Sequence, residues 1–144
     1  MKHTEIISLG SGIEIHFFLD SNETNRQVTL FKCIVRPGAK IPAPHYHEYF
    51  DETLYGLKGV VTLSIDGKTI ELGTGDAVFI PRGAVHGFTN NTNDSVEMLC
   101  YANPGVFGPD YFKDIAEVIN AGGPPDMSRV KEIMLTYGQI PVAG

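Results

Sequence analysis

Cysteine is scarce in this chain: only Cys33 and Cys100 occur among its 144 residues. Two cysteines so far apart cannot form a disulfide framework, so we expect a reducing, cytoplasmic environment. No apolar run reaches the length of about 18 residues that a membrane-spanning helix needs. The first ten residues also lack the apolar stretch of about 7–15 residues typical of a secretion signal. We therefore expect a protein with no membrane partner.

An excess of positive charge is also absent. The sequence has 11 basic and 17 acidic residues, a formal net charge of −6, and no segment rich in lysine or arginine. This balance argues against a nucleic-acid partner, because phosphate binding needs a basic surface. A chain of this length fits one domain and buries roughly 68–70% of its unfolded surface, enough for a core without disulfides.

The sequence up to residue 103 consists of short β-type runs separated by Gly, Pro, Asn and Asp. Asp66-Gly67 between two such runs predicts a two-residue hairpin turn. Many short strands at regular spacing predict an all-β sandwich or barrel over residues 1–103. The predicted strands are 13–19, 27–35, 53–58, 60–65, 68–72, 77–80, 85–89 and 96–102.

The remaining residues, 104–144, change to a helical period. The segment 109–120 begins with Pro109 at a first helical position and ends before two glycines. A second helix is predicted over 126–137, with Asp126 as its N-cap and Gly138 as its stop. The link between the helices is short, so we expect a two-helix C-terminal extension packed on the β-domain rather than a separate domain.

The main candidate functional residues are His45, His47, Glu52 and His86. His45 and His47 lie two residues apart in a strand-like segment, so both side chains point to the same face, about 6.6 Å apart along the strand. Three imidazoles and one carboxylate suit one divalent transition metal ion, namely Fe, Mn, Ni, Cu or Zn, and four ligands leave two octahedral positions open. The cluster therefore predicts a metal site.

Two motifs surround these residues. In the first, residues 38–59, Gly38 is followed by six residues, His45-x-His47, four residues, Glu52, six residues and Gly59. In the second, residues 75–90, Gly75 is followed by five residues, Pro81-x-Gly83, two residues, His86, three residues and Asn90. These motifs resemble those of the cupin superfamily, although the family usually has five residues between its first Gly and first His.

The resemblance implies a single cupin jelly-roll β-barrel that holds a metal through His45, His47, Glu52 and His86. The spacing and the helical tail resemble small cupins described as similar to quercetin (flavonol) dioxygenase. That likeness implies a small-molecule substrate and a homodimer, and it implies a catalytic role for Glu52 in taking a proton from a bound enol or hydroxyl. A cupin that keeps the motifs without binding metal, or binds it only structurally, is the alternative.

Strand alternation places Leu54 and Gly56 on the same face as Glu52, and Phe88 on the face of His86. We expect these three residues in the substrate pocket, with Gly56 leaving room for substrate; a β-bulge is the alternative at Gly56. Other residues carry weaker expectations. We expect His3 and His16 to lie outside the metal site, and Arg82 to be an exposed turn residue. Cys33 and Cys100 are expected to be buried, and one of them could line the pocket. Residues 107–112 are expected to pack against the β-domain or a second subunit, or to cover the pocket mouth.

Three functions are compatible with these residues: a metal-dependent oxygenase acting on an enol- or hydroxyl-bearing molecule, a small-ligand-binding metallo-cupin without turnover, and a metal-dependent isomerase or lyase. Because ligand histidines must be neutral and free imidazole has a pKa near 6.5, metal loss is expected below about pH 6. The apolar core should survive removal of the metal, because the strands supply it independently of the site.

Overall fold

The computed structural model describes residues 4–41 and 44–142. Eleven strands and two α-helices occur in this part of the chain, together with a short 3-10 helix at Ser21–Thr24. Their bounds are β1 Glu5–Leu9, β2 Ile13–Leu19, β3 Thr29–Val35, β4 His45–His47, β5 Asp51–Lys58, β6 Val61–Ile65, β7 Lys68–Leu72, β8 Ala77–Ile80, β9 His86–Thr89, β10 Val96–Asn103, α1 Pro109–Ile119, α2 Met127–Thr136 and β11 Gln139–Pro141.

The strands form two sheets. One has six strands in the order β1-β2-β3-β10-β5-β8, and the other has five in the order β11-β4-β9-β6-β7. The predicted β-fold is confirmed, but the predicted barrel is not closed by hydrogen bonds. Each sheet ends in edge strands, so the described residues form two facing sheets rather than one continuous ring.

The core lies between the sheets because side chains alternate along each strand. In β3 the residues Thr29, Phe31, Cys33 and Val35 are buried while those between them are not. The predicted hairpin is present: Asp66 and Gly67 both have positive φ, at 48° and 80°, and β6 pairs with β7 on either side. This is the backbone that a type I′ turn requires.

Both predicted helices are present and their apolar stripes are buried. Tyr111, Phe112 and Ile115 of α1 are buried, and Asp126 caps α2 by accepting a hydrogen bond from the backbone N–H of Arg129 at 3.2 Å. Neither described helix is long and apolar enough to cross a membrane.

One strand of the tail was not predicted. After α2 the chain returns as β11, which pairs antiparallel with β4, so that Gln139 lies opposite His47 and Pro141 opposite His45. A second tie joins these segments, since the backbone N–H of Glu48 donates to the carbonyl of Gly138 at 3.0 Å. The extension is therefore more than a helical appendage, because its last strand belongs to the sheet that carries the histidines.

Candidate metal centre and pocket

The five-stranded sheet brings three histidines together. His45 and His47 come from β4, His86 comes from β9, and the two strands are paired at His45 and His86. One nitrogen of each imidazole lies within 4.8 Å of those of the other two. The ring centroids are 4.5 to 5.1 Å apart. The predicted convergence of these three residues is present in the fold, and the group could hold a metal ion.

Glu52 reaches the same space from the other sheet. It lies near the start of β5 in the six-stranded sheet, and its Oε1 is 3.8 Å from Nε2 of His86. It does not fall within the close group that the three imidazole nitrogens form. The structure thus places Glu52 beside the histidines, and its role as a fourth ligand stays a prediction.

The hydrogen bonds of the histidines fit a metal. Nδ1 of His86 lies 2.9 Å from the carbonyl of Ala84, so a proton on Nδ1 donates to that oxygen and leaves a lone pair on Nε2. Nδ1 of His47 is buried and has no hydrogen-bond partner in the described part of the chain. A buried polar nitrogen without a partner is unfavourable. A metal ion bound at that nitrogen would serve as its partner. These residues therefore fit the predicted divalent metal ion.

Burial sets the charge state of this site. Burial first, and then the neighbouring His86 and His45, lowers the pKa of His47 to about 2. Burial also lowers the pKa of His86, and it raises the pKa of Glu52 to about 8. In the metal-free protein near neutral pH, His47 and His86 are neutral and Glu52 is protonated. The neutral imidazoles of His47 and His86 can therefore coordinate a cation, whereas Glu52 must first lose its proton.

Phe50 is a site residue that the sequence analysis missed. It lies in the turn between His47 and Glu52, is fully buried, and stacks on the His47 ring at a centroid distance of 4.1 Å. On its other side it contacts Phe107 at 5.2 Å. The sequence signal was an apolar ring inside an otherwise polar turn. Its position holds the His47 ring in one orientation.

A cavity of about 100 Å³ opens beside the histidines. Leu54 and Phe88, both predicted for the pocket, line it, and Glu52 faces it as well. Apart from the ligand candidates, most of the wall is aliphatic or aromatic. Residues of the tail supply one side, namely Phe107, Tyr111, Phe112, Ile115, Val130, Met134 and Gln139.

Gly56 does not line this cavity. A Cβ atom at Gly56 would lie 1.9 Å from the carbonyl oxygen of Gly73, so the space on that side is filled by the backbone of the turn before β8. The ladder between β5 and β10 also has a bulge near this point, between Glu97 and Met98. The prediction that Gly56 leaves room for substrate is therefore wrong, because this glycine permits close approach of backbone.

Both cysteines line the cavity, whereas the sequence analysis expected one at most. Cys33 and Cys100 are buried on β3 and β10. Burial, followed by the Glu52 carboxyl group, raises the pKa of Cys33 to about 12, and the pKa of Cys100 is raised well above its usual range by the same causes. The thiols therefore remain protonated and act as small apolar wall residues.

The remaining candidates lie outside the cavity. His16 lies 2.6 Å from Glu14 on β2, away from the three-histidine group, and His3 lies outside the described residues. Arg82 is half-exposed and donates to Asp51, through its backbone N–H at 2.8 Å and its side chain at 3.2 Å. It therefore ties the turn before His86 to the start of β5 and does not face the pocket.

Comparison with known proteins agrees with this architecture. A family model described as a cupin domain matches residues 31–101. Quercetin 2,3-dioxygenase of Bacillus subtilis (strain 168) is 36% identical over 73 residues, which cover 51% of this chain and 21% of that enzyme. An uncharacterized protein of Aquifex aeolicus (strain VF5) is 42% identical over 67 residues, covering 46% of this chain and 54% of that protein.

Among solved structures, a predicted oxalate decarboxylase from Thermotoga maritima matches with a TM-score of 0.63 and 24% identity, covering 71% of this chain and 92% of that chain. At this identity the likeness concerns the fold alone. The curated relatives match over a fifth to about half of their own lengths, so their activities do not transfer as they stand. The domain match, the motifs and the two-sheet architecture agree: residues 31–101 of this chain form a cupin domain.

Proposed function

We propose that this cupin is a metal-dependent oxygenase acting on a small, enol- or hydroxyl-bearing molecule. His45, His47 and His86 would hold the metal, with Glu52 as a fourth ligand. When bound, a transition metal supplies Lewis acidity and orients the reactants. The 36% identity to a quercetin 2,3-dioxygenase supports the reaction class.

The buried Glu52 carboxyl group is the observation that carries the proposal. Its side chain is only 12% exposed, it lies 3.8 Å from His86, and its pKa is raised to about 8. That pKa describes the metal-free site; with a metal bound the carboxylate is ionised, and its buried position next to the histidines is where it could accept a proton from substrate. Glu52 would take the proton of a bound enol or hydroxyl, while the apolar wall excludes water from the substrate.

The wall of the cavity also indicates the charge of the substrate. Among the described residues that line it, none is lysine or arginine. A dianion such as oxalate would therefore find no side-chain cation in the cavity, and the metal alone would have to balance its charge. We infer that the substrate is uncharged or loses its proton only after binding.

A metal-dependent isomerase or lyase is the second candidate. The same buried Glu52 carboxyl group favours it, because proton transfer next to a carbonyl requires an acid or base at that place. Oxygen consumption separates the two: an oxygenase takes up oxygen in step with loss of substrate, whereas an isomerase or lyase turns over equally well under nitrogen. Binding without turnover would leave the small-ligand-binding cupin.

The role of Glu52 as a ligand can be tested without a substrate. The protein would be titrated with Co²⁺ against a competing chelator between pH 6.5 and 8. If Glu52 binds the metal it must first lose its proton, so affinity rises about tenfold per pH unit below its pKa. In Glu52→Gln affinity should change little over this range. A wild-type affinity independent of pH would exclude Glu52 as a ligand.

Catalysis is tested with protein loaded separately with Fe²⁺, Mn²⁺, Ni²⁺, Cu²⁺ and Zn²⁺, after elemental analysis of the freshly purified chain. Oxygen uptake would be followed with a panel of enols, phenols and dicarbonyls. We expect turnover with at least one redox-active metal and at least a hundredfold loss in Glu52→Gln. Full turnover in that variant with metal retained would remove Glu52 from the mechanism.

The expected homodimer stays a prediction. The outer face of the six-stranded sheet carries the exposed aromatic residues Tyr55, Phe79 and Tyr101, with Phe79 and Tyr101 on either side of Thr53 in the sheet. Sedimentation of the wild type and of Phe79→Ser, a change outside the cavity, would show whether this face joins two copies.

A further inference from the structure

Two polar side chains lie in the apolar wall that the tail builds. Tyr111 of α1 is 7% exposed and Gln139 of β11 is 5% exposed, and both line the cavity. The Tyr111 hydroxyl donates to Oε1 of Gln139 at 3.2 Å. Burial, followed by the Glu52 carboxyl group, raises the pKa of Tyr111, so its hydroxyl keeps its proton and remains a donor.

The sheet register brings Gln139 next to the histidines. Gln139 is the direct antiparallel partner of His47, across the pairing of β11 with β4. Directly opposed residues project from the same face with Cβ atoms about 4.5–5.5 Å apart. Because His47 and Gln139 both line the cavity, the Gln139 side chain lies on the same face of this sheet as the His47 ring.

One half of the Gln139 amide is unused. Its Oε1 accepts from Tyr111, and its Nε2 has no hydrogen-bond partner in the part of the chain that the structure describes. A primary amide has two N–H donors. This nitrogen is not fully buried, so its N–H groups are free to donate to an oxygen of a bound ligand.

The size of the cavity limits what that ligand is. An apolar cavity of about 150 Å³ is known to hold a benzene molecule, and the cavity here has about 100 Å³. The space beside the histidines is therefore no larger than one that holds a single ring. The further rings of a three-ring flavonol would lie outside it, although a quercetin dioxygenase is a relative, and a molecule held inside it has one ring or fewer.

We propose that Gln139, held in place by Tyr111, is a substrate-positioning residue that donates a hydrogen bond to one oxygen of a compact, uncharged substrate. This inference rests on the proposed function, since a neighbouring oxygen of the same substrate would face the three histidines. The substrate class is therefore a single-ring or smaller molecule with two oxygens on adjacent or alternate carbons. Recognition comes from the C-terminal tail as well as from the cupin motifs.

The test compares two single-ring probes that differ by one oxygen, catechol and phenol. Their dissociation constants would be measured by calorimetry on Zn²⁺-loaded protein, because Zn²⁺ has no redox chemistry of its own. Gln139→Met keeps a similar shape without the amide, and Tyr111→Phe keeps the ring without the hydroxyl. Met134→Leu, elsewhere in the same cavity, is the matched control with little change in volume.

We expect catechol to bind wild-type protein more tightly than phenol. In Gln139→Met that preference should fall roughly three- to tenfold, the effect of one neutral hydrogen bond, while phenol binding is unchanged. Tyr111→Phe should reduce the preference less, and Met134→Leu should leave it intact. In wild-type protein the side-chain amide signals of Gln139 should shift with catechol and less with phenol.

Equal loss for both probes in Gln139→Met would assign Gln139 a structural role only and overturn the inference. So would an unchanged preference, or quercetin binding as tightly as catechol. Failure of the proposed function would be seen elsewhere, as Zn²⁺ that does not bind or as a lack of oxygen uptake with redox-active metals. Catechol binding to the metal-free protein then still reports on Gln139, with the same loss expected in Gln139→Met.

Discussion

The six-stranded and five-stranded sheets face each other across the cavity, but they are built differently. In the first, β10 pairs along most of its length with β3 on one side and β5 on the other. In the second, β4 has three residues, meets β9 at His45 and His86, and is covered on its other edge by the three-residue strand β11. The histidines therefore lie on the sparsely paired sheet, and Glu52 lies on the extensively paired one.

This difference suggests a division of roles. The long strands supply the buried apolar surface that stabilises the fold, whereas the short strands hold side chains for chemistry and depend on the tail for their pairing. Regions with fewer paired neighbours are those that open most easily. Changes in the first sheet should lower stability without altering the site, and changes around β4 should do the reverse.

The largest effect on stability should come from the six-stranded sheet. Met98 on β10 is fully buried, so Met98→Ala removes core contacts and should lower the free energy of unfolding by about 2–5 kcal/mol. Chemical denaturation measures this. Leu99→Ala, on the opposite face of the same strand, is the control and should cost less. Metal affinity should match the wild type in both, and a large loss of affinity in Met98→Ala would contradict the division.

A substitution at the junction between α2 and β11 should instead reduce metal affinity. Gly138 has φ of 76°, and a Cβ atom there would lie 2.8 Å from the Tyr49 ring. Gly138→Ala should therefore cost about 1–3 kcal/mol through its positive φ, with the strain placed directly before β11, while the exposed Tyr49 ring can move aside. Gly122→Ala is the matched control: its φ of 94° imposes similar strain, but nothing lies within 4 Å.

We expect both glycine variants to lose stability in denaturation experiments, and only Gly138→Ala to lose metal affinity as well. Equal metal binding in the two variants would show that β11 does not support β4.

Much of the fold was readable from local sequence patterns. Alternation in β5 predicted that Leu54 faces inward with Glu52, Asp66-Gly67 predicted the hairpin, and Asp126 predicted the start of α2. These features depend on neighbours within a few residues. The convergence of His45, His47 and His86 was also predicted, because strand parity and the two motifs specify it.

The missed features depend on contacts distant in sequence. Gly56 was assigned to the pocket because parity gives a side-chain direction but cannot show that Gly73 fills that space. The strand β11 has only three residues and forms by pairing with β4, far away in sequence. Gln139 was overlooked for the same reason. The expected metal loss below pH 6 stays a prediction; it used the pKa of free imidazole, and because burial lowers the pKa of His47 and His86 the loss is expected at lower pH.

The buried ionisable groups of the two sheets give opposite pH dependences in the metal-free protein. Glu52, with a pKa near 8 against 4.5 ordinarily, holds a proton in the folded state that the unfolded state loses, so stability falls as pH rises from 4.5 to 8. His47 and His86 have lowered pKa values, so the unfolded state gains protons below pH 6.5 and stability falls as pH falls.

We therefore expect the stability of metal-free wild-type protein to be greatest near pH 6.5. Between pH 6.5 and 8 it should fall by about 2 kcal/mol, at about 1.4 kcal/mol per pH unit. Urea denaturation across this range measures the slope. Glu52→Gln should abolish it, while Glu71→Gln, exposed on β7, should keep it. A slope that persists in Glu52→Gln would assign the titration to another group.

The smallest expected effect comes from the ion pair between Arg82 and Asp51. Arg82 lies in the turn between β8 of the six-stranded sheet and His86 of the five-stranded sheet, and Asp51 precedes Glu52 at the start of β5; their side chains meet at 3.2 Å. Because the Arg82 end of this pair is half-exposed, Arg82→Ala should lower the free energy of unfolding only slightly. Arg129→Ala breaks a similarly exposed pair with Glu132 on α2 and serves as the control.

If the Arg82–Asp51 ion pair fixes the position of Glu52 relative to the histidines, Arg82→Ala should weaken Co²⁺ binding. Arg129→Ala should not, even though both variants lose similar stability. Equal metal affinities would mean that the long strands alone set the distance between Glu52 and the histidines. The short-stranded sheet would then depend on its partner through the core, and the surface ion pair would be dispensable.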